Sequence, residues 1–237
     1  SKDNNGSTVH VEVQIGNDQP SNKKQLSYQT ADNLGVLPVN SPELVQKVAE
    51  CLGYDLKKVF SVKAAPDHEW HGLPFPVPCS IQDFLSLYCD LTVAPRRSEL
   101  KLLAAFCQDP VDQQFLQRLS AKEHKEEYRT KILDNYMGLG NLLQKCPSLK
   151  IPLAHFVDLC PRLQPRFFTI ASSSSVNPDS IHLTVAVTKA VRPMDQSVFN
   201  GVCSTYLATR EANELAANKN QKSIRFPSFG NKAEDPA

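Results

Sequence analysis

One segment of the sequence, residues 164–187 (QPRFFTIASSSSVNPDSIHLTVAV), concentrates the residue types that can do chemistry. Arg166 offers a planar fork of donors suited to phosphate oxygens, and two phenylalanines follow it directly. Because neighbouring side chains on a strand point to opposite faces, Phe167 and Phe168 are expected on opposite sides of their strand, so that one ring faces away from the interior of the core or into a ligand. In one interpretation, a ring beside Arg166 packs on a flat heteroaromatic ligand. The residues alone leave a second interpretation open, in which both rings belong to the core and Arg166 forms a surface ion pair.

Gly201 marks a second position that can hold an anion, at the start of the helical pattern GVCSTYLATREANELAA. A glycine at a helix N-terminus lets the amides of Val202, Cys203 and Ser204 approach an anion, and the helix dipole favours the negative charge. Together with Arg166, these amides predict a site for a pyrophosphate group.

Other patterns that can do chemistry are weaker. The four serines at 172–175 lack the G-x-S-x-G elbow of a hydrolase, so a serine nucleophile is not expected. His68 and His71 in HEWH are three residues apart without a further ligand at a recognisable spacing, so no metal site is expected. The segment GLGNLL at 138–143 has two of the three glycines of a dinucleotide fingerprint and follows a helix, which favours an irregular helix instead.

The composition limits the classes of partner and the compartment. In 237 residues, Lys+Arg 26 and Asp+Glu 25 nearly balance, so the basic surface that nucleic acid requires is not expected. The seven cysteines form no C-x-x-C pair, which favours reduced thiols in a cytosol-facing protein. No window approaches the ~18–20 apolar residues of a membrane span, and the first residues lack the apolar core of a signal peptide. The sequence therefore predicts a soluble chain without membrane contact.

The first 40 residues are predicted to form strands. Residues 7–15 (STVHVEVQI) alternate apolar and polar side chains, the pattern of a half-buried antiparallel strand. After a polar turn, residues 33–40 (NLGVLPVN) resume an apolar strand, which Pro38 keeps near an edge or an end. These strands open a sheet or a barrel.

From Ser41 the apolar period becomes helical. Ser41 is a good N-cap with a proline after it, and Gly53 is a good stop for the same helix. Further helices are predicted after Ser80 and Asp109, and a last short helix in PLAHFVDLC at 152–160. The middle of the chain is therefore predicted to be helical.

Strand character returns at Arg166. RFFTIASS and IHLTVAVTKAV are rich in β-branched and aromatic residues, and SVNPDS between them predicts a turn. After the helix that begins at Gly201, KSIRFP at 222–227 predicts one more strand. The order predicts an α+β fold, in which both strand blocks form one antiparallel barrel or curled sheet and residues 41–165 form a helical excursion.

Four motifs carry a resemblance to a known family. Arg166, Phe168, Thr169 and Ser172 stand at the positions of the motif R-x-Y-[ST]-x-x-S. YQTADNLGVLPVN, NGVCSTYLA and KSIRFP resemble the family's first strand motif, its second flavin motif and the strand before its next domain. Over residues 7–227 the chain thus resembles the FAD-binding domain of the diflavin NADPH-haemoprotein reductases. The resemblance implies an antiparallel flavin-binding β-barrel interrupted by a helical connecting insertion.

The resemblance also implies roles for individual residues. Arg166 would bind the FAD pyrophosphate together with the chain that follows Gly201. Phe168 replaces a tyrosine that packs on the isoalloxazine, and the missing hydroxyl loses one hydrogen bond, worth ~0.5–1.5 kcal/mol. Thr169 stands at the catalytic Ser/Thr position, whose hydroxyl assists hydride transfer. The other implied cofactor contacts are Ser172, Thr184, Val185, Ala186, Val202, Cys203 and Ser204.

Domain boundaries and partners follow from the same resemblance. Residues 7–40 and 164–227 are expected to form the FAD-binding barrel with its short helix, 41–163 the connecting domain and 228–237 a tail. The family's FMN-binding, membrane-anchored region and its nicotinamide-binding domain are not expected in this chain. The implied full-length enzyme takes hydride from NADPH and relays electrons through FMN to a haem monooxygenase, facing the cytosol from the endoplasmic reticulum membrane. The chain alone is not expected to turn over NADPH.

Two alternatives stay open. The reductase parts of sulfite, methionine synthase and nitric oxide synthase systems share these motifs. A non-catalytic interaction domain that has lost FAD is the other alternative. Phe168 favours it, and so does Ala190, which stands about where several relatives stack an aromatic ring on adenine.

Overall fold

The computed structural model describes residues 7–15, 28–63 and 75–210. Three predictions lie outside these ranges: the HEWH loop, the KSIRFP strand, and the part beyond residue 210 of the helix that begins at Gly201. The strands are β1 (Thr8–Gln14), β2 (Asn33–Val36), β3 (Val59–Phe60), β4 (Cys79–Ser80), β5 (Arg166–Thr169), β6 (Ser180–Ala186), β7 (Lys189–Val191) and β8 (Val198–Asn200). The α-helices are α1 (Pro42–Leu52), α2 (Ile81–Asp83), α3 (Arg97–Leu103), α4 (Pro110–Ser120), α5 (Lys125–Tyr128), α6 (Leu139–Lys145), α7 (Leu153–Leu159) and α8 (Val202–Ala208).

Strands from the two ends of the chain pair with each other. β1 runs antiparallel to β6, with Thr8 opposite Ala186 and Gln14 opposite Ser180. The valines of β1 are half-buried and its polar residues are exposed, so the predicted alternation is confirmed. β2 runs antiparallel to β5, and an isolated bridge between Ile170 and Leu183 brings this pair beside β6. The first and second strand blocks therefore combine, as predicted.

The α+β class is confirmed, whereas a closed barrel is not seen among the described strands, which form antiparallel pairs. The strand character predicted for IHLTVAVTKAV is confirmed, and the segment forms two strands, β6 and β7. Thr188 leaves the ladder because its amide donates to Ser204 Oγ (3.0 Å) and its carbonyl accepts from the Gly201 amide (2.9 Å). The segment is thereby divided into β6 and β7, and β7 forms a hairpin with β8.

Helix α1 has the predicted ends. Ser41 Oγ accepts from the Leu44 amide at 3.3 Å, Pro42 is the first helical residue, and Gly53 ends the helix with φ 71°. Val45 and Leu52 lie on its buried face. Capping by the predicted residues therefore fixes where this helix begins and ends.

The middle of the chain is less regular than predicted. Ser80 caps α2 through the Asp83 amide (3.0 Å), and Asp109 caps α4 through the Val111 amide (2.6 Å), as expected. α2 nevertheless continues as a π-helical turn, Phe84–Tyr88, and a second π-helical turn spans Arg129–Leu133. The short pair β3–β4 also lies inside the region predicted to be helical.

Two clusters of buried residues form the core of the described chain. The larger cluster belongs to the helical region and includes Leu85, Leu100 and Leu116, each fully buried. The smaller cluster joins the strands to α8 and consists of Tyr28, Ile170, Ile181, Leu183, Val185, Cys203 and Leu207. Within the described ranges, no helix combines the length and the apolar character needed to cross a bilayer.

Candidate functional site

Strand β5 carries the predicted motif in a fixed register against β2. Arg166 lies opposite Val36, Phe168 opposite Leu34 and Thr169 opposite Asn33. Exposure alternates along β5, so that Arg166 and Phe168 share one face while Phe167 and Thr169 share the other. The first face packs toward the smaller core cluster, and the second faces solvent.

Arg166 is held by a buried acid that the sequence analysis missed. Its Nη2 donates to Asp90 Oδ2 at 3.0 Å, and its Nη1 donates to the Gln164 carbonyl. The Asp90 side chain is 7% exposed and the Arg166 side chain 38% exposed. Asp90 Oδ1 also accepts from the amides of Thr92 and Val93, each at 3.1 Å. The D-x-T spacing in CDLTV is a signal for such a turn, but the partner of Asp90 lies 76 residues away.

The two phenylalanines have different surroundings. Phe168 is half-buried against the smaller core cluster. Phe167 is 70% exposed and lies over Gly35, where an added Cβ would be 3.1 Å from the Phe167 ring. The alternative that both rings are core is therefore wrong for Phe167. The packing of Phe168 on an isoalloxazine stays a prediction.

Thr169 presents its hydroxyl on the exposed face of β5. Its Oγ1 donates to Asn33 Oδ1 across the strand pair at 3.4 Å, which is a long and weak hydrogen bond. Because this contact is weak and exposed, the hydroxyl can turn to another partner. The catalytic role of Thr169 stays a prediction.

Ser172 is buried and its hydroxyl is engaged within the chain. Its Oγ lies 2.8 Å from the Tyr28 hydroxyl and accepts from the His182 amide at 3.0 Å. The Tyr28 hydroxyl also lies 2.9 Å and 2.8 Å from the carbonyl oxygens of Asn177 and Ser180. These hydrogen bonds therefore connect the turn before β6 to the segment that precedes β2. The sequence analysis did not identify Tyr28 as a residue that holds this turn.

Gly201 packs so closely that a side chain would not fit. A Cβ at this position would lie 2.7 Å from Thr188 Cβ and 2.9 Å from Ser204 Oγ. The buried Ser204 hydroxyl accepts from the Thr188 amide and donates to the Gly201 carbonyl at 3.3 Å. The hydroxyl of Ser204, predicted to contact the cofactor, thus holds the start of α8 against Thr188. The first amides of α8, which include those of Val202 and Cys203, have no acceptor within the helix.

The start of α8 lies beside Arg166. Cys203 is buried, and its Sγ contacts the carbonyl of Val36 at 3.8 Å, the residue that pairs with Arg166 across the strands. Burial raises the pKa of the Cys203 thiol, and the positive charge of Arg166 opposes this rise. The structure therefore brings Arg166 near the residues after Gly201, which are the two features predicted to bind an anion. Arg166 and Gly201 are 35 positions apart in the sequence.

The remaining predicted residues lie on β6 and β7. Thr184 and Ala186 are exposed, whereas Val185 is buried in the smaller core cluster at 1% exposure. Ala190 is half-buried on β7 opposite Phe199, and the Phe199 ring stacks on Tyr136 with centroids 4.9 Å apart. The cofactor contacts assigned to these strands stay predictions.

Comparisons with known proteins give these features a family. Residues 1–206 match the family model described as "FAD binding domain". The chain is 32% identical over 232 residues to the NADPH--cytochrome P450 reductase of Homo sapiens, covering 95% of the chain and 32% of that protein. The Oryctolagus cuniculus protein of the same name is 34% identical, and the Drosophila melanogaster one 28% identical, with 32% of each covered. The chain thus spans about a third of the length of these relatives.

The residues that the structure brings together suit this cofactor. Arg166 has a half-exposed guanidinium near the start of α8, where Gly201 leaves no room for an added Cβ, and these groups offer donors that suit a pyrophosphate. The solvent-facing ring of Phe167 and hydroxyl of Thr169 lie on the same strand as that guanidinium. The match over residues 1–206 and the oxidoreductase relatives agree with this chemistry. The chain therefore belongs to the FAD-binding domain family, and its cofactor is FAD.

Proposed function

We propose that this chain is the FAD-binding module of a diflavin reductase. In the whole protein, FAD would accept hydride from NADPH and pass electrons through FMN to a haem protein. The relatives named above are NADPH--cytochrome P450 reductases, and the chain corresponds to about a third of their length. The activity of the whole protein is therefore part of the proposal.

The position of Arg166 carries the proposal. Among the described residues, its guanidinium bonds to Gln164 and Asp90, which occupy two of the five N–H donors of an arginine. The other donors suit the oxygens of a pyrophosphate. The ion pair with the buried Asp90 limits the rotamers of Arg166, so less entropy is lost when a phosphate binds.

The first turn of α8 would complete the pyrophosphate site. The amides of Val202, Cys203 and Ser204 have no intrahelical acceptors, and Gly201 lets the chain approach the anion closely. The hydrogen bond from the Thr188 amide to Ser204 Oγ holds this turn in place. Arg166 and α8 would thus bind the same group from two sides.

The flavin ring is assigned to β5, the strand that begins at Arg166. Phe168 would pack on the isoalloxazine, as the family motif implies, and the exposed Phe167 offers a second ring on the opposite face of β5. Thr169 would hold or donate a proton at the reactive edge of the ring through its exposed hydroxyl. The backbone of Thr184, Val185 and Ala186 would border the ring. Bound FAD supplies the hydride acceptor and the single-electron donor.

The finer architecture belongs to the same proposal. The two separate core clusters support a division of the chain into a flavin-binding unit, residues 7–40 and 164–227, and a connecting domain, residues 41–163. Closure of the strands into a flavin barrel is part of the proposal. The FMN domain and a haem monooxygenase would be the electron acceptors. The whole protein would be anchored to the endoplasmic reticulum and face the cytosol.

FAD retention and flavin reduction test the proposal in two steps. The purified chain is incubated with FAD and desalted, and its visible absorption is recorded; we expect about one FAD per chain. No retention at high FAD concentration would instead favour an interaction domain that has lost its cofactor.

In the intact protein, Thr169→Val should slow flavin reduction by NADPH at unchanged FAD content, measured by stopped-flow absorbance. An unchanged rate of flavin reduction would show that Thr169 takes no part in hydride transfer. Loss of FAD from the variant would show instead that Thr169 contributes to cofactor binding.

A further inference from the structure

The exposed face of the β1–β6 pair gathers three side chains that transition metals use as ligands. His10 and Glu12 lie two residues apart on β1 and therefore share a face. His182 is the partner of Glu12 on β6 in the antiparallel register. One ligand atom from each side chain lies within 4.8 Å of the other two. The valines that alternate with them face the core instead.

Two of these ligand atoms already have a suitable separation. His10 Nε2 and Glu12 Oε1 are 3.3 Å apart. Two ligands of a tetrahedral zinc ion, each about 2.0–2.2 Å from the metal, are themselves roughly 3.3–3.6 Å apart. The pair could therefore bind one ion with little movement.

The third ligand stands beside this pair. The His182 ring meets the His10 ring edge-on, with centroids 5.1 Å apart and an interplanar angle of 88°. His182 Nε2 lies 3.0 Å from Ser180 Oγ, which keeps the ring on this side of the sheet. Since the backbones are joined in a regular ladder, only side-chain torsions have to adjust.

Packing or charge pairing does not account for this arrangement. The side chains of His10 and Glu12 are 56% and 54% exposed, so they contribute little to the core. An exposed ion pair of this kind stabilises a fold by only ~0–1 kcal/mol. Neither effect requires a second imidazole at the same place.

We propose that His10, Glu12 and His182 bind a Zn²⁺ ion, with water at the fourth position. Two imidazoles and one carboxylate are a donor set that zinc accepts, and three protein ligands with an open position are common at zinc sites. The ion cross-links β1 to β6 and stabilises the strand pair by binding only the folded chain. His10 pairs with Thr184, whose backbone is proposed above to border the flavin, so the zinc site is tested on the FAD-free chain.

Calorimetric titration with ZnCl₂ tests the site directly. We expect one ion per chain at this cluster, and His10→Ala, Glu12→Gln and His182→Ala should each weaken binding at least about tenfold, the loss typical of removing a supporting group at a metal site. His124→Ala is the matched control, because His124 is a partly exposed histidine beside a glutamate elsewhere in the chain, and it should leave the affinity unchanged.

Thermal unfolding gives a second measurement that does not depend on the calorimeter. Zn²⁺ should raise the Tm of the unmodified chain, EDTA should reverse the rise, and His10→Ala should abolish it while leaving the metal-free Tm nearly unchanged. Equal zinc affinity in the unmodified chain and in His10→Ala would overturn the proposal. Loss of all binding in the double variant His68→Ala/His71→Ala, with binding kept in His10→Ala, would also overturn it.

Discussion

Arg166 and Asp90 form an ion pair, with Nη2 3.0 Å from Oδ2, that joins strand β5 to the chain between α2 and α3. The acid is buried in this contact and the guanidinium is half-exposed. Val36, the cross-strand partner of Arg166, contacts Cys203 Sγ, at the start of α8, through its carbonyl oxygen. The ion pair thus holds Arg166, to which we assign the FAD pyrophosphate. It also connects the strands to the helical region, because Arg166 lies on β5 and Asp90 lies between α2 and α3.

Removing Arg166 should cost stability as well as cofactor binding. Arg166→Ala leaves the Asp90 carboxylate buried without its charged partner, and we expect the free energy of unfolding to fall by about 1–3 kcal/mol, the cost of an unsatisfied buried group. Solvent screening of the half-exposed guanidinium places the value toward the lower end. Urea unfolding measures it, and Arg129→Ala, which removes an exposed pair with Asp134, is the control with an expected change below about 0.5 kcal/mol. Equal losses in both variants would contradict a special role for the Arg166 pair.

Ser172 should matter for folding more than for cofactor contact. Ser172→Ala leaves the Tyr28 hydroxyl and the His182 amide without this partner, and we expect a loss of about 1–3 kcal/mol in the free energy of unfolding. The FAD affinity of the folded fraction should change little. Ser175→Ala, at an exposed serine of the same run, should leave the stability unchanged in the same urea experiment. A large loss of FAD affinity in a fully folded Ser172→Ala would show that the hydroxyl contacts the cofactor.

Gly201 should tolerate no side chain. In Gly201→Ala the new Cβ meets Thr188 and Ser204, so the start of α8 must shift and FAD affinity should fall at least tenfold, about 1.4 kcal/mol. Gly53→Ala is the matched control, because its cost is backbone strain at φ 71° at the end of α1, in the helical region. It should lower the Tm without changing FAD affinity in the folded chain. Similar FAD affinities in both variants would contradict the assignment of α8 to the cofactor.

Glu127 should make stability depend on pH. Hydrogen bonds from Lys131 and Arg118 lower the pKa of its carboxyl below the usual value. Its contribution is therefore present above the unfolded-state pKa, and it is lost as pH falls through the lowered folded-state pKa. Glu127→Gln should be less stable than the unmodified chain at pH 7, and the difference should shrink once the pH is below about 4. Melting curves across this range check it, and a difference that does not vary with pH would exclude the ionised carboxylate as the cause.

Local patterns predicted much of this fold, and long-range contacts accounted for the errors. The alternation in β1 and the caps of α1 are local signals, and both are confirmed. The break between β6 and β7 was missed because it depends on Thr188 bonding to Ser204, 16 residues away. Asp90 was missed for the same reason, since nothing near CDLTV indicates an arginine 76 residues later. The motif positions on β5 could be named from sequence, but the exposure of Phe167 and the burial of Ser172 required the structure.

The affinity of the chain for FAD before and after Arg166→Ala tests the account most directly. FAD fluorescence is titrated with the unmodified chain, Arg166→Ala and Arg166→Lys, and circular dichroism verifies that each variant is folded. We predict tight, stoichiometric binding by the unmodified chain, at least a hundredfold weaker binding in Arg166→Ala, and an intermediate affinity in Arg166→Lys, which keeps the charge but loses the planar fork. Equal FAD affinity in a folded Arg166→Ala variant would contradict the claim that Arg166 holds the cofactor.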